Sequence, residues 1–473
     1  MRAEIRRFFA PQAWVQGAWT RDVLLSVDAN GSWCGIQPHA SLAERQGARM
    51  LSGPVLPGLV NAHSHAFQRA IAGLTERRGL SGAAASDDFW SWRDRMYSVA
   101  RRITPDQLEA IATFLYAELL MAGYTQVCEF HYLHNAVDGA PHANPLDMSL
   151  ALVRAAQRVG MGLTLLPTLY MRSSFDTTSL RDDQRRFAST PESVLRLAEG
   201  VQSQTAACAN INVGLAVHSL RAADGAAIRA LTAVNTAGRP IHIHIAEQTQ
   251  EVQDCLAHTG QRPIAWLLDK LPVDAHWNLV HATHTTAAEL QAVQRSGAAI
   301  VICPSTEANL GDGVFDYPGF ASLGGQWSIG SDSHITRAWV EELRLLEYSQ
   351  RLTQRKRNVA AQTGRSPSSA AVLFEAALAG GQAATSRPLG AIEAGRRADF
   401  LVLDAQSPAL LGVPAEHVLD ALVFSSPEAR FAEVFVAGEQ VVSGGQIDNG
   451  TTGLAPWQLI TQNYVRTMHQ LWA

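Results

Sequence analysis

The sequence predicts an α/β fold, a distorted (β/α)8 barrel of the TIM type that carries a small β-sandwich built from both chain ends. Short apolar runs typical of strands alternate with stretches whose apolar residues recur at helical spacing, which is the pattern of parallel βα units. There are eight such runs, the number that closes a barrel. The predicted strands cover residues 55–62, 125–131, 162–168, 212–218, 240–246, 277–283, 298–303 and 326–332.

The chain ends provide a further observation. Residues 1–55 contain short strand-like runs and a turn at Asn30-Gly31, which form too small a unit to be stable alone. Similar runs recur at 398–404 and 432–438, so we expect the two ends to combine into one β-sandwich beside the barrel. The expected units are residues 1–55 and 386–455 for the sandwich, 56–385 for the barrel, and 456–473 for a final helix.

Two stretches between the predicted strands show the helical pattern well. Pro105–Ala122 and Met148–Val159 both carry apolar residues at helical spacing. Thr104 and Asp147 precede them, and both are residue types that cap helices. We therefore expect helices that begin at these two residues.

The composition indicates a cytoplasmic protein that binds neither nucleic acid nor membranes. The 473 residues carry a formal net charge of −5, so the chain has no general attraction to polyanions. The five cysteines are odd in number and far apart, without a Cys-x-x-Cys pair, which suggests a reducing compartment. No apolar run has the length of a membrane span or the form of a secretory leader. An anionic ligand would therefore need local arginines.

The first predicted barrel strand ends in a histidine pair. Side chains on a strand alternate faces, so His63 and His65 project to one side and Ser64 to the other. Two convergent imidazoles suit a divalent metal whose remaining coordination position is open to water. A single His-x-His pair is also common in polar loops, so the metal interpretation depends on other strand ends.

The chemistry of such barrels lies at the carboxyl ends of the strands, and several predicted strands end in polar residues. Strand five carries His242 and His244 on the same inward face, with isoleucines outward. His244 is nearer the mouth and is our third candidate ligand, whereas His242 is expected to be a hydrogen-bonded core residue. Strand eight ends at Asp332, which could bind the metal and accept a proton from water, or could cap a helix.

Two more polar residues extend this set. Glu247 follows His244 and could carry a proton between water and a leaving nitrogen, although a single glutamate is by default a solvated surface residue. His281 closes the sixth strand and could hold or polarise the water. Six such residues at matching strand ends are much less expected by chance than any one of them.

These segments resemble the amidohydrolase superfamily over nearly the whole chain. The motifs that carry the resemblance are Pro57–His65, His244–Glu247, Val280-His281, Gly330–Asp332 and the return into the sandwich, Gly390–Phe400. The resemblance implies a mononuclear site of the deaminase subgroup. In that site His63, His65, His244 and Asp332 would hold one divalent metal. Zinc is our expectation, although iron or manganese suits the same ligands. No lysine suited to carboxylation ends a predicted strand, which argues against a binuclear site.

Four further segments are similar to the branch of this superfamily that deiminates N-formimino-L-glutamate in histidine degradation. They are His65–Ala70, Asp88–Arg93, Glu129–His134 and His218–Arg221. The resemblance implies a homodimer and a small dianionic substrate derived from an amino acid. By similarity the residues that bind substrate would be Gln68, Arg93, Tyr132, His218 and Arg221.

The physical chemistry of the residues agrees with that substrate. It carries two carboxylates, and an arginine fork can bind each through paired charged hydrogen bonds. Arg93 lies in an aromatic stretch, and Arg221 follows a strand-end histidine by three residues. Arg77, Arg78 and Arg95 remain competing partners for the carboxylates.

The expected reaction is hydrolytic deimination to N-formyl-L-glutamate and ammonia. Asp332 would take the proton of water, His281 would orient that water, and Glu247 would protonate the leaving nitrogen. The nearest rival is a deaminase of a nucleobase or guanidino compound that uses the same site. A barrel that serves only as a binding scaffold would be expected to have damaged ligands, and all four ligand positions are intact.

Overall fold

A computed structural model describes residues 5–77, 87–233, 238–362, 364, 366–426, 431–447 and 454–473. Two sheets with helices packed around one of them make up these parts of the chain. None of the helices described has the length and apolar character needed to cross a membrane.

The strands are numbered in chain order. They are β1 Arg6–Val15, β2 Ala18–Val27, β3 Trp33–Gln37, β4 Arg49–Met50, β5 Val55–Pro57, β6 Leu59–Ser64, β7 Tyr124–His131, β8 Gly162–Leu169, β9 Ile211–Val213, β10 Leu215–Val217, β11 Ile241–Ile245, β12 Trp277–His281, β13 Ala299–Ile302, β14 Trp327–Ile329, β15 Phe400–Leu403, β16 Phe431–Val436, β17 Glu439–Ser443 and β18 Gln446–Ile447.

The helices are numbered in the same way. They are α1 Phe89–Ala100, α2 Pro105–Met121, α3 Asp147–Val159, α4 Pro191–Gln204, α5 Gly225–Ala233, α6 Thr249–Thr259, α7 Pro263–Lys270, α8 Ala287–Ser296, α9 Pro304–Leu310, α10 Tyr317–Ser322, α11 Trp339–Gln354, α12 Ser369–Thr385, α13 Val418–Ser425 and α14 Trp457–Trp472. Short 3-10 helices cover Ala66–Ala70, Asp182–Phe187 and Ala415–His417.

One of the two sheets is the predicted barrel. Its strands run in the order β14-β13-β12-β11-β10-β8-β7-β6, all parallel, with the short β9 beside β8. Ser64, at the end of β6, pairs with Asp332, just past β14, so the first and last strands meet at the mouth. The fold class predicted from alternating strand and helix patterns is confirmed.

The other sheet contains strands from both chain ends, as predicted. Its order is β18-β17-β16-β15-β5-β1-β2-β3, with β4 beside β1, and the two ends join where β15 pairs antiparallel with β5. Phe400 and Phe435 stack at 4.2 Å between ring centroids, with Phe8 edge-on to both. The unit boundaries after residues 55, 385 and 455 stay a prediction.

The prediction of a single strand over residues 55–62 is wrong. The chain leaves the other sheet after β5 and enters the barrel at β6, with Gly58 between them. A β-carbon at Gly58 would lie 2.4 Å from the Thr125 side chain, and the Gly58 amide donates to the Asp399 carbonyl at 3.0 Å. Close approach of two sheets at one residue explains why a continuous apolar run changes sheets here.

The two predicted helix starts have different outcomes. Thr104 caps α2 through a reciprocal pair of hydrogen bonds with Gln107, as its residue type indicates. Asp147 does not cap α3: it is the first helical residue, and Leu146 occupies the cap position without a side-chain hydrogen bond. A negative charge in the first turn also interacts favourably with the helix dipole. Aspartate is therefore common both at the cap position and at the first helical position.

A buried ion pair lies where the two sheets meet. Arg397 Nε and Nη2 donate to the two carboxylate oxygens of Asp399 at 2.9 and 2.6 Å, and Nη2 also donates to the Thr125 carbonyl at 3.4 Å. Asp399 accepts a further hydrogen bond from the Ala437 amide at 2.9 Å. Both charged side chains are buried away from water, so each depends on the other to compensate its charge.

Replacing Arg397 by Ala should lower the free energy of unfolding by about 3–5 kcal/mol, because Asp399 would be left charged and buried without its partner. Urea denaturation measures the loss. The control is Arg185→Ala, which breaks a pair with Asp182 whose side chains are 29% and 76% exposed, and it should cost at most about 1 kcal/mol. Equal losses in both variants would contradict the role of the buried pair.

Candidate metal centre and substrate pocket

Four predicted ligand side chains meet at the mouth of the barrel. His63 Nε2 lies 3.0 Å and His65 Nε2 3.3 Å from His244 Nε2. Asp332 Oδ1 lies 3.3 Å from His63 Nε2 and 3.4 Å from His65 Nε2. The alternative in which Asp332 caps a helix does not hold, because Ala338 occupies the cap position of α11.

The backbone brings these residues together. The Asp332 amide donates to the His63 carbonyl at 3.0 Å, and the His65 amide donates to the Asp332 carbonyl at 3.3 Å. Asn61 lies two residues before His63, and Ser331 one before Asp332. The Asn61 side chain donates to Ser331 Oγ at 2.7 Å and accepts from the Ser331 amide at 2.9 Å. Asp332 has a φ of 45°, a conformation that costs a non-glycine residue energy and that these contacts hold in place.

The ligand atoms are close enough together to hold one ion. His63 and His65 each lie 3.0 to 3.4 Å from His244 and from Asp332, which fits side chains that would bind one ion at about 2.0–2.2 Å. His65 Nδ1–H donates to the Phe130 carbonyl at 3.0 Å and His244 Nδ1–H to the His218 carbonyl at 2.9 Å. These bonds leave both Nε2 lone pairs free to bind a metal.

The protonation states also suit a metal. Burial lowers the pKa of His63 to about 3 and shifts the pKa values of His65 and His244 downward as well, so all three imidazoles are neutral at pH 7. Burial alone raises the pKa of Asp332, but contacts with His63 and the nearby His65 and His281 bring it below its ordinary value. Neutral imidazoles and an ionised carboxylate are the forms that bind divalent cations.

Glu129 supports the histidine pair from behind. Its carboxylate accepts from Ser64 Oγ at 2.7 Å, from the Ala66 amide at 2.6 Å and from Tyr116 Oη at 3.1 Å. Ser64 therefore points away from His63 and His65, as the alternation of a strand requires. Sequence reasoning did not assign Glu129 a role, because the residue closes no predicted strand.

His281 and Glu247 lie beside the four ligands. His281 Nε2 is 3.7 Å from Glu247 Oε1 and 3.8 Å from Asp332 Oδ2, and its Nδ1 is 3.3 Å from Glu307 Oε1. Burial raises the pKa of Glu247 to about 7. Burial lowers the pKa of His281, but Glu247 and the other nearby carboxylates outweigh it and raise the pKa above its ordinary value. The cluster can therefore hold and exchange protons near neutral pH.

Glu307 was missed by the sequence reasoning. It lies in α9, just past barrel strand β13, and it accepts from the Cys303 amide at 2.8 Å while facing His281. No polar residue was considered at the end of the predicted strand over 298–303. The feature that could have pointed to Glu307 is its position a few residues beyond the end of that strand.

The predicted substrate residues lie in one buried region next to the ligands. Gln68 Nε2 donates to Tyr132 Oη at 3.3 Å, and the His218 ring packs 5.3 Å from the Tyr132 ring. The guanidinium carbons of Arg93 and Arg221 lie 4.5 and 5.4 Å from the centre of one indole, that of Trp90. The sequence reasoning gave Trp90 no role, although it stands in the segment that holds Arg93.

The two arginines have unused hydrogen-bonding capacity. Arg93 Nε and Arg221 Nη1 are buried and have no partner among the residues with described positions. Arg221 is only 6% exposed, so an unpaired Nη1 is costly unless a ligand accepts its N–H. Among the competitors, Arg95 is paired with Asp87 and the Thr75 carbonyl, Arg77 is exposed, and Arg78 lies outside the described residues.

His242, the second histidine of β11, is placed apart from this centre. Its ring is buried, and Nε2–H donates to the Ala384 carbonyl at 2.8 Å. The two histidines of one strand face thus have different surroundings at different depths of the barrel.

Comparison with known proteins gives a consistent result. Residues 55–441 match the model of the amidohydrolase family. The chain is 45% identical over 438 residues to the formimidoylglutamate deiminase of Pseudomonas aeruginosa, which covers 93% of this chain and 95% of that one. It is 28% identical over 369 residues to the 5-methylthioadenosine/S-adenosylhomocysteine deaminase of Halobacterium salinarum, with 77% and 76% covered.

Solved structures agree at the level of the fold. An amidohydrolase from Brucella melitensis superposes with a TM-score of 0.91 at 39% identity, covering 99% of this chain and 100% of that one. An adenosine deaminase from Xanthomonas campestris with bound zinc gives a TM-score of 0.79 at 21% identity over 98% of both chains. The second likeness concerns the fold alone.

Substitution on β11 tests the metal centre. We expect His244→Asn to lose most of its bound divalent metal, because one of four ligands is removed, and His242→Asn to keep it, because that side chain bonds only to a carbonyl. Elemental analysis of the purified variants, with circular dichroism to confirm folding, measures this. Equal metal content in the two folded variants would contradict the assignment of His244.

Proposed function

This chain belongs to the amidohydrolase family, and from that premise we propose that it hydrolyses N-formimino-L-glutamate to N-formyl-L-glutamate and ammonia. Water adds to the formimino carbon, the bond to the terminal nitrogen breaks, and that nitrogen leaves with the protons that make ammonia. The observation that carries the proposal is a pair of arginines on one indole, Arg93 and Arg221, each with a buried nitrogen that has no partner in the described part of the chain.

The cluster is proposed to hold one divalent ion, and zinc is our choice of metal. His63, His65, His244 and Asp332 would bind it, since their spacing and protonation states fit. A bound ion would supply Lewis-acid activation of water. The remaining chemistry is carried by side chains of the chain itself.

Three residues are proposed to handle the protons. Asp332 Oδ2 faces His281 Nε2 at 3.8 Å and would accept a proton from the attacking water. His281, held on its other side by a carboxylate, would orient that water. Glu247 would protonate the leaving nitrogen, and a pKa of about 7 lets it both give and regain a proton at neutral pH.

The remaining predicted residues are proposed to bind the substrate. Arg93 and Arg221 would each bind one carboxylate through a guanidinium fork. Gln68, Tyr132 and His218 would contact the polar atoms between the carboxylates and the formimino carbon. Gln68 Oε1 is buried and has no hydrogen-bond partner in the described part of the chain, so it is available to an N–H of the substrate.

The rival proposal of a nucleobase or nucleoside deaminase is less well supported. A neutral base would leave the buried Nη1 of Arg221 without an acceptor, which is costly. We also propose that the enzyme acts in histidine degradation, in the cytoplasm and as a homodimer. All five cysteines are free thiols, which is consistent with a reducing compartment.

Ammonia release from a substrate panel tests the function. We expect release from N-formimino-L-glutamate and little from adenosine or from N-carbamoyl-L-glutamate. Replacing Arg221 by Met should lower kcat/KM for the formimino substrate about 100-fold, because a buried charge partner of a carboxylate is lost. Arg77→Met, which removes an exposed arginine, is the control and should change little. Faster turnover of adenosine, unaffected by Arg221→Met, would refute the proposal.

Replacing Glu247 by Gln tests the proton transfer. The amide keeps the shape of the side chain but cannot deliver a proton, so kcat should fall about 100- to 10,000-fold. Metal content should stay at the wild-type level, since Glu247 is not among the proposed ligands. Full activity in this variant, measured as ammonia release, would overturn the role of Glu247.

A further inference from the structure

A buried carboxylate next to the proton-handling cluster has no role in the mechanism so far. Asp312 lies between two glycines after α9, and it is 5% exposed. Its amide donates to the Glu307 carbonyl at 2.9 Å, which fixes the loop close to β13. The sequence reasoning did not consider Asp312, because it follows the strand end by a whole helix.

The contacts of Asp312 leave one oxygen free. Oδ1 accepts from Gln248 Nε2, the residue next to Glu247. Oδ2 is buried and has no hydrogen-bond partner within the described ranges of the chain. A carboxylate oxygen of Asp312, one of Glu247 and a ring nitrogen of His281 all lie within 4.8 Å of one another. The two carboxylates therefore border the same small space.

Two carboxylates so close together favour a cation between them. Burial, and next the neighbouring Glu247, raise the pKa of Asp312 to about 9, because a second negative charge beside Glu247 is disfavoured. His281 partly offsets this repulsion, and Glu307 adds to it. A bound cation would remove the penalty, because each carboxylate would then face positive charge.

The proposed substrate has a cation at the appropriate place. Its formimino group is an amidine, which is protonated at neutral pH and ends in a nitrogen with two N–H bonds. Before water adds, an ionised Glu247 would accept one of these N–H groups, and the proton that it later delivers to the nitrogen would come from the hydroxyl group that water leaves on the carbon. The second N–H needs an acceptor of its own, since a buried donor without a partner is costly.

We propose that Asp312 Oδ2 accepts the second N–H of the terminal nitrogen and that Asp312 thereby selects a cationic amidine over a neutral formyl group. This inference rests on the proposed function and extends it to the end of the substrate that reacts. Asp312 would be a catalytic residue in the strict sense, because it touches the leaving group. The formyl product carries an oxygen instead of that nitrogen, so it loses the contact.

A purely structural role for Asp312 can be separated by the choice of substitution. Asp312→Asn keeps Oδ1 as an acceptor for Gln248 and so preserves the brace of the loop. It replaces Oδ2 by an amide group, which donates and carries no charge. Asp316→Asn is the matched control, because Asp316 caps α10 in the same segment and asparagine is an equally good cap.

Calorimetry gives the test with two ligands that both carry the glutamate carboxylates. The dissociation constant of N-carbamimidoyl-L-glutamate, whose guanidino group is cationic, should rise about 10- to 100-fold in Asp312→Asn. That of N-formyl-L-glutamate should change less than about twofold, since no charged contact is lost. Ammonia release from the formimino substrate should fall, with metal content unchanged, and Asp316→Asn should match the wild type.

The outcomes separate this inference from the proposed function. Wild-type protein that releases no ammonia from the formimino substrate refutes the function itself. Active wild type together with unchanged binding of the cationic ligand in Asp312→Asn overturns the inference, and so does an equal loss for both ligands. If Asp312→Asn fails to fold by circular dichroism, Asp312→Ser, a smaller side chain without charge, is measured with the same two ligands and the same criteria.

Discussion

The pairing of the first and last barrel strands is the constraint on which the site depends. At that seam the Asp332 amide donates to the His63 carbonyl, and the Asp332 carbonyl accepts from His65. Three of the four proposed ligands therefore take their places from the same backbone hydrogen bonds that close the barrel. The fourth, His244, faces them from β11 with its ring fixed by a carbonyl. Geometry of the fold and geometry of the ligands cannot vary independently here.

Much of this was readable from the sequence because it follows from two regular features. Alternation along a strand sets which side chains face inward, and parallel strands bring their carboxyl ends to one mouth. Those two rules place His63, His65, His244 and Asp332 near one another from their positions alone. The same rules could not show where a strand changes sheets, which depends on the packing of Gly58 against Thr125.

The remaining site residues follow no such periodicity. Glu307 and Asp312 lie in and after a helix that follows β13, and Trp90 lies in α1, outside the barrel strands. Their positions depend on how loops and helices fold over the mouth, which a pattern of apolar residues does not encode. The roles of all site residues stay proposals, whereas the family and the barrel are established by the comparisons and the structure.

The seam also has a consequence for how the protein is made. Asn61 and Ser331, which bond to each other directly beneath the ligands, stand 270 positions apart in the chain. Contacts of such large sequence separation form late, because the intervening chain must first be ordered. On the ribosome the ligand set cannot be complete until strand β14 has emerged. An ion at the four proposed ligands would thus be bound by a nearly finished barrel and would not guide the early steps of its folding.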